Sequence, residues 1–365
     1  VGGFVEPFSA LLARGVPVDS ATWEGPTPLS LAATYGHAAC IRALLEAGAV
    51  GDELLEKQDH MGFTALMWAC QNGHAECADL LIGAGAELDQ QVVGGFSSLM
   101  LAAQNGHTAC VNLLLEAKVS PDTQADDGST ALMLAVQEEH AGCARLLIEA
   151  NASLEKRANE DLTALMVAAQ CGHAACARLL IEAGAEFDER LHSGFTPLMY
   201  SAQQGHGECA RLLLENGAAD TVSTNNFTLL MAASYGGLAW MVVAILPQSD
   251  VDATVALTHA TQGGYTALMF ACMNGHAQCA HALLGAGARK AVRAATGDTA
   301  FSLARDNGHS EIGELLKAGH GDAEADGART TTEERVDEAA VAQPQAGSSG
   351  AEDAPAEPEE KCVVS

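Results

Sequence analysis

The sequence has 365 residues, of which 48% are apolar and 4% aromatic, so its core must be built mainly from Ala, Leu, Met and Cys. With 47 acidic and 18 basic residues, its formal charge is −29. Phosphate binding needs clusters of Lys and Arg, so nucleic acid is excluded as an expected partner and a basic protein or peptide is favoured. The longest apolar run, at 238–247, has about half the ~20 residues of a membrane-spanning helix.

A repeated motif dominates the chain. The segment TALMWACQNGHAEC at 64–77 returns in related forms that begin at Thr or Ser. The nine copies start at positions 27, 64, 97, 130, 163, 196, 228, 266 and 299. Most steps between them are 33 residues, and the longer steps place insertions near 50–57 and 248–262.

Each copy predicts two short helices. Thr64 and its equivalents suit a helix N-cap, because the hydroxyl accepts a hydrogen bond from a free backbone N–H. Pro28 and Pro197 follow the cap at the first helical position, where proline is tolerated. Gly73 can end the first helix in the left-handed conformation. A second helix over about 75–84 follows and ends at Gly85, with Cys77, Leu80, Leu81 and Ala84 on one stripe.

These units resemble ankyrin repeats, and the stretch TPLMYSAQQGHGECARLLLENGAAD at 196–220 matches that pattern almost throughout. The resemblance implies an all-α solenoid of stacked helix–turn–helix units with hairpin fingers. We interpret residues 1–22 as a partial N-terminal repeat, 23–319 as an array of nine repeats and 320–365 as a disordered acidic tail. Residues 3–15 align with 73–85, the second helix of a repeat, so we expect the chain to begin within a repeat.

The units depart from the family pattern in two respects. The family's His in T-P-L-H is Met at 67, 100, 133, 166, 199, 231 and 269, which replaces an expected hydrogen bond between neighbours with apolar packing. The unit from Thr228 has YGGLAWM at 235–241 in place of the Gly-His turn, so we expect the array to be weakest or bent there.

Cysteines recur every 33 residues, at Cys77, Cys110, Cys143, Cys176 and Cys209. Equivalent positions imply the same packing role, so we interpret them as reduced thiols of a cytoplasmic protein. His74 and Cys77 form an H-x-x-C pair that recurs along the chain. A zinc site needs about four converging ligands, whereas this His lies in a turn and the Cys in a packing stripe, so a structural role is favoured. A redox or metal sensor is the alternative.

Aromatic residues precede the capping Thr or Ser in several repeats. In the family this place lies near the finger that leads into the concave face, so the rings are candidate partner anchors. The alternative is packing of each ring on its neighbouring finger. The candidates are Phe63, Phe96, Phe195, Phe227 and Tyr265.

A polar row near the end of the first helix is the second candidate binding element. In the family these positions face the concave groove, where they could contact an extended peptide. A ladder of Gln and Asn side chains between repeats is the competing interpretation. The row comprises Tyr35, Gln71, Asn72, Gln104, Asn105, Gln203, Gln204 and Tyr235, joined by Gln137, Glu138, Gln170 and Asn274.

The chain ends in CVVS. A Cys four residues from the end, two aliphatic residues and a final Ser are typical of farnesylation, here on Cys362. Residues 320–361 carry 12 acidic and 3 basic residues, a net of −9, and are too polar to fold. One lipid binds membranes weakly, and an acidic tail is repelled by anionic lipid, so membrane contact is expected to be transient.

The sequence thus predicts a non-enzymatic scaffold or adaptor for protein–protein interaction, monomeric, without a cofactor or metal. It would be cytoplasmic, with peripheral membrane association through Cys362. No phosphate-binding loop or catalytic motif is present. The alternative is the regulatory or substrate-binding portion of a larger enzyme, such as a kinase or ubiquitin-ligase subunit.

Overall fold

Nine helix pairs follow one another along the protein, whose computed structural model describes residues 27–48, 52–219, 222–246 and 257–317. We number the pairs as repeats 1 to 9. Repeats 1 to 5 are Pro28–Thr34 with Ala38–Glu46, Ala65–Gln71 with Ala75–Gly83, Ser98–Gln104 with Thr108–Glu116, Ala131–Gln137 with Ala141–Glu149, and Ala164–Cys171 with Ala174–Glu182. Repeats 6 to 9 are Pro197–Gln203 with Gly207–Glu215, Leu229–Tyr235 with Ala239–Ile245, Ala267–Met273 with Ala277–Gly285, and Ala300–Asp306 with Ser310–Lys317.

Additional structure in the described part is sparse. A single helical turn, Asp52–Leu55, lies in the first predicted insertion, and a 3-10 turn covers Asn159–Asp161. Two isolated antiparallel bridges, Gln91 with Ser97 and Val222 with Thr228, are the only β pairings in these ranges. The predicted all-α solenoid is therefore confirmed.

The first helices begin as predicted. In all nine repeats the capping Thr or Ser oxygen accepts a hydrogen bond from the backbone N–H of the third helical residue. Pro28 and Pro197 occupy the first helical position. Gly73 follows the first helix of repeat 2 with a φ of 74°, the left-handed conformation that glycine adopts without strain.

The core lies between the helices and is continuous from repeat to repeat. Each first helix packs on its own second helix and on the first helices of the neighbouring repeats. The seven Met residues that replace the family's His are buried, with 3% or less of their surface exposed. In repeat 2, the Met67 sulfur also accepts the Thr64 N–H at 3.4 Å, so this Met completes the N-cap as well as packing.

The cysteine column is buried at the same interface. Cys77, Cys110, Cys143, Cys176 and Cys209 are free thiols with at most 1% exposure, which confirms their predicted packing role. In repeat 6, the thiol of Cys209 points towards the Ala168 carbonyl of the preceding repeat, 3.9 Å away.

Neighbouring repeats are joined by the histidine of the Gly-His turn. His107 Nε2 donates to the Gln71 carbonyl at 3.0 Å, and His206 Nε2 donates to the Gln170 carbonyl at 2.9 Å. The ring covers the preceding turn glycine so closely that a Cβ added to Gly73 would lie 2.5 Å from His107 Nδ1. Hydrogen bonding between repeats is thus supplied by the histidine of the turn, which is a different residue from the family's His that Met replaces.

Two joints differ from this arrangement. Repeat 4 has Glu139 instead of the turn glycine. The turn histidine of repeat 5, His173, therefore donates through Nδ1 to the Val136 carbonyl at 2.8 Å, with Nε2 4.0 Å from the Glu139 carboxylate. Repeat 7 has Leu238 in place of the histidine. Its turn packs directly on repeat 6, where a Cβ on Gly236 would lie 2.1 Å from the Ala202 oxygen. The expected weakness of repeat 7 stays a prediction.

Candidate functional site

A segment that we call a finger connects the second helix of each repeat to the first helix of the next repeat. In the finger before repeat 3, the Val92 N–H donates to the Phe96 carbonyl at 3.0 Å, and the equivalent bond recurs in the other fingers. Adjacent fingers are also joined, for example by the Asp126 N–H and the Gly94 carbonyl at 3.0 Å. The residue before each capping Thr or Ser is therefore fixed at the base of a closed turn.

Phe63 and Phe96 belong to an N-terminal ring cluster. Phe63 stacks on Trp68 with ring centroids 4.5 Å apart, and only 7% of Phe63 is exposed. Trp68 Nε1 donates to the Asp59 carboxylate at 2.8 Å. Phe96 is half-buried against the same group, which also contains Leu101. In this cluster the outer surface is formed by Trp68 and Phe96, while Phe63 packs beneath them.

Phe195, Phe227 and Tyr265 belong to a second and larger cluster in repeats 6 to 8. Phe195 and Phe227 stack at 5.6 Å, and Phe227 meets the edge of Phe270 at 5.3 Å. Tyr265 lies 5.9 Å from Phe270. Contacts with Tyr200 and Tyr235 complete a connected group that we call the six-ring cluster: Phe195, Tyr200, Phe227, Tyr235, Tyr265 and Phe270. Phe227 is only 6% exposed, and the other five rings are half-buried.

The two clusters are separated, so the predicted row of rings is not continuous. Ser129 and Leu162 occupy the equivalent places in repeats 4 and 5, and both are buried. Ser129 makes hydrogen bonds with the Asp127 carboxylate through its N–H and its hydroxyl. The central part of the row therefore presents no aromatic surface.

Three rings of the clusters were not predicted from the sequence: Trp68, Tyr200 and Phe270. Each is the fourth residue of a first helix, and each contacts the aromatic residue that precedes the helix cap. This pairing is the hydrophobic staple of helix N-termini. An aromatic residue five positions after Phe63, Phe195 or Tyr265 was the available signal.

The polar row divides by exposure. Tyr35 is 67% exposed, and Asn72, Asn105 and Gln204 are also exposed. Gln71, Gln104, Gln203 and Tyr235 are half-buried. Asn72 and Asn105 donate through Nδ2 to the Trp68 and Leu101 carbonyls at 2.9 and 2.8 Å, which caps their own helix ends.

The predicted ladder of Gln and Asn side chains is formed at the joint of repeats 7 and 8, where Asn274 donates through Nδ2 to the Tyr235 carbonyl at 3.0 Å. The buried Oε1 atoms of Gln71 and Gln170 accept no hydrogen bond in the described part of the chain. A second amide ladder lies in the fingers. Gln91 donates to the Gln124 carbonyl at 3.2 Å, and Gln124 donates to the Arg157 carbonyl at 3.0 Å.

Several carboxylates act within the fold. Asp122 accepts the Ser153 N–H at 2.7 Å, and Glu155 accepts the Glu186 N–H at 2.9 Å, each from the following repeat. Burial raises the pKa of Glu155, and the hydrogen bond from the Glu186 N–H opposes that rise. Part of the negative charge therefore stabilises contacts between repeats.

An ion network lies in the fingers before repeats 5 and 6. Arg157 contacts the carboxylates of Asp161 at 2.6 Å and Glu189 at 2.5 Å, and His192 Nδ1 lies 3.0 Å from Asp161. Glu160 and Asp161 both have positive φ, at 63° and 70°, although most equivalent fingers have glycine at the position of Asp161. Burial, followed by the charge of Glu160, raises the pKa of Tyr200 to about 12.

The H-x-x-C residues diverge in space. The histidines turn to carbonyls of the preceding repeat, while the cysteines enter the core. Within the described residues, no three His, Cys, Asp or Glu side chains are grouped as metal ligands would be. The helices of those residues also include none with the length and apolar character required to cross a membrane. Cys362 and the tail lie outside the described residues.

Helix pairs in tandem, joined by closed fingers and packed through a continuous core, define a repeat solenoid. A family model that describes three consecutive ankyrin repeats matches the chain four times, over residues 3–92, 99–191, 183–256 and 253–326. The chain therefore belongs to the ankyrin repeat family.

A curated relative is the putative ankyrin repeat protein YahD of Escherichia coli strain K12. The two are 33% identical over 70 residues, which is 19% of this chain and 33% of YahD. The chain thus spans about a third of that relative's length.

Proposed function

We propose that the protein is a non-enzymatic scaffold or adaptor that binds a protein or peptide partner through its inner face. We define the inner face as the surface formed by the fingers and the C-terminal ends of the first helices. The outer face is formed by the second helices. Membership of the ankyrin repeat family supports this role, since such repeats generally mediate protein–protein interaction.

The observation that carries the proposal is the concentration of half-exposed rings on the inner face. Aromatic residues are favoured as binding hot spots because they bury a large area with little loss of side-chain entropy. In repeats 4 to 6 the outer face is different, because its exposed positions are charged or small, as at Arg145, Arg178 and Arg211. The outer face exposes large apolar side chains in repeat 7, at Trp240 and Val243.

A pair of crosslinking variants tests which face binds. Benzoylphenylalanine replaces Gln204 on the inner face or Arg178 on the outer face, both exposed. After irradiation in a cell lysate, Gln204 should yield a discrete crosslinked partner and Arg178 should not. Crosslinking from Arg178 alone, or from neither position, would contradict binding by the inner face.

The net charge of −29 supports a basic partner and a monomeric protein in which like charges oppose self-association. Complementary charge mainly raises the association rate. A binding rate that falls steeply as salt is increased would support this part of the proposal, and a rate independent of salt would contradict it.

We also propose that Cys362 is farnesylated and gives the protein a transient peripheral contact with membranes from the cytoplasm. The terminal sequence CVVS supports this proposal. Intact-mass analysis of the C-terminal peptide, from cells with a farnesyltransferase, should show one lipid and loss of the last three residues. The Cys362→Ser variant is the control. An unmodified Cys362 still followed by Val-Val-Ser would refute lipidation and leave the scaffold role unaffected.

A further inference from the structure

We propose that the six-ring cluster, with the carboxylates at its two ends, is a docking site for an arginine- or lysine-containing extended segment of the partner. This inference rests on the protein-binding role proposed above. It specifies where on the inner face the partner is held and which chemistry is recognised.

The concentration of rings is the first support. Six of the sixteen aromatic residues of the chain (nine Phe, four Tyr and three Trp) form one connected group. Phe227 lies beneath the others, and the remaining five keep part of their surface open to solvent. A hydrophobic staple at a helix start needs only one ring pair, as Phe63 and Trp68 form in repeat 2. The rings of repeats 6 to 8 also contact one another between repeats, which the staple does not require.

Negative charge at the N-terminal end of the cluster is the second support. Glu160 is exposed, in a turn of the finger before repeat 5 where Glu160 and Asp161 both hold positive φ, and its negative charge acts on Tyr200 at this end of the cluster. Arg157 pairs with Asp161 and Glu189, which leaves Glu160 without an ion pair in the described part of the chain.

A carboxylate also lies at the C-terminal end. Asp298 accepts hydrogen bonds from the Tyr265 hydroxyl at 3.4 Å and the Thr296 hydroxyl at 2.5 Å. The ring surface thus has an acidic group at each end. A guanidinium or ammonium group placed over the ring faces would be attracted both by the π electrons and by these carboxylates.

The protein's own cations do not fill this site. The two cation–π pairs among the described residues are Arg211 over Trp240 at 5.0 Å and Lys317 over Phe301 at 5.6 Å, and neither involves the six-ring cluster. The cluster therefore offers unoccupied ring faces to a cation from another molecule. Its half-exposed rings also present apolar surface, which suits a segment in which Arg or Lys adjoins an apolar residue.

Selection from a phage library of random 12-residue peptides against the full-length chain tests the proposal. The winning peptide is then synthesised with a fluorescent label and titrated against variants. We expect an Arg or Lys beside an apolar residue, and a loss of affinity of about tenfold when that cation becomes Gln. Phe270→Leu should weaken binding by about tenfold and Glu160→Gln by a few-fold.

Trp68→Leu is the matched control, because Trp68 holds the same helical position in the N-terminal cluster. It should leave the affinity within about twofold of the wild type. Tyr265→Leu provides a second test on the finger should Phe270→Leu fail to fold, as judged by circular dichroism. It should again weaken binding several-fold.

Three outcomes would overturn the inference. The winning peptides could lack a cation, their affinity could depend on Trp68 and not on Phe270 and Tyr265, or no peptide could be selected. If Gln204 still crosslinks a partner in any of these cases, the scaffold role stands and only the cationic docking site fails. Loss of crosslinking at Gln204 would instead refute the proposed function.

Discussion

At the scale of single residues, the histidine of the Gly-His turn is the main specific link at five of the joints, formed by His74, His107, His206, His276 and His309. Its ring covers the preceding turn glycine and its N–H reaches a carbonyl that ends the preceding first helix. This link explains why Met is accepted where the family has His in T-P-L-H. The Met side chains fill the core, and hydrogen bonding between repeats does not depend on them.

Removing one turn histidine should therefore destabilise the array. In His107→Ala, the Gln71 carbonyl loses its partner at 3.0 Å and the ring contacts over Gly73 are lost. We expect the free energy of unfolding to fall by about 1–3 kcal/mol in urea titrations followed by circular dichroism. His60→Ala changes an exposed histidine in a finger and should have little effect. Equal effects of the two substitutions would contradict this role.

The rings of the six-ring cluster should differ in what they contribute. Phe227 is 6% exposed, so Phe227→Ala leaves a cavity and should cost about 3–5 kcal/mol of stability. Tyr265 is half-buried, so Tyr265→Ala should cost roughly 1 kcal/mol. Urea titration of both variants measures the difference. Similar losses would mean that Tyr265 serves finger packing rather than partner contact.

The buried thiols should be unreactive in the folded protein. Burial raises the pKa of Cys143 and, with a smaller contribution from Glu139, that of Cys176 to about 11. Because the thiolate is the reactive form, iodoacetamide at pH 8 should label them slowly until urea unfolds the array, and labelling should accelerate as the pH rises towards 11. Peptide mass spectrometry reports each site. Rapid labelling of the native protein at pH 8 would contradict their burial.

At the scale of helices and fingers, the sequence predicted what is local. The N-caps, the proline positions and the left-handed glycines depend on neighbours within four residues, and the structure confirms them. The partner of each histidine could not be predicted in this way, because a repeat period shows which residues are equivalent and not which ones touch. The staple rings Trp68, Tyr200 and Phe270 were predictable, since the staple has a fixed spacing.

The joint between repeats 6 and 7 offers a test at this scale. Gly236 approaches the Ala202 oxygen so closely that a Cβ would lie 2.1 Å from it. Gly236→Ala should therefore force the turns apart and cost about 1–3 kcal/mol of stability. Gly285→Ala is the matched control, because nothing lies within 4 Å of a Cβ there and Ala favours the helix. If urea titration shows both variants unchanged, the close joint is wrong.

At the scale of the whole molecule, the period of 33 residues was enough to predict the solenoid. The candidate site was predicted only in part. The predicted rings lie at the bases of their fingers, and their role as partner anchors stays a prediction. Their division into two clusters follows from Ser129 and Leu162, which break the row in repeats 4 and 5. An amide ladder was predicted for the glutamine row, but the ladder formed by Gln91 and Gln124 in the fingers was not predicted.

The total charge of −29 is a less direct guide to the partner than the repeat period is to the fold. It indicated a basic partner, yet several carboxylates accept N–H groups from the following repeat and are part of the fold. The acidic groups that remain open, such as Glu160, are the ones available to a partner. Composition cannot distinguish these two kinds of carboxylate, because the distinction arises from contacts between residues about one repeat apart.

Hydrogen–deuterium exchange tests most directly that the inner face binds. The full-length chain is measured alone and in complex with the partner that crosslinking at position 204 identifies. Slower exchange is predicted in the fingers and first helices of repeats 6 to 8, over residues 191–204, 222–235 and 261–273. The second helices at 207–215 and 277–285 should exchange at unchanged rates. Protection of those second helices, with the fingers and first helices unchanged, would contradict the account.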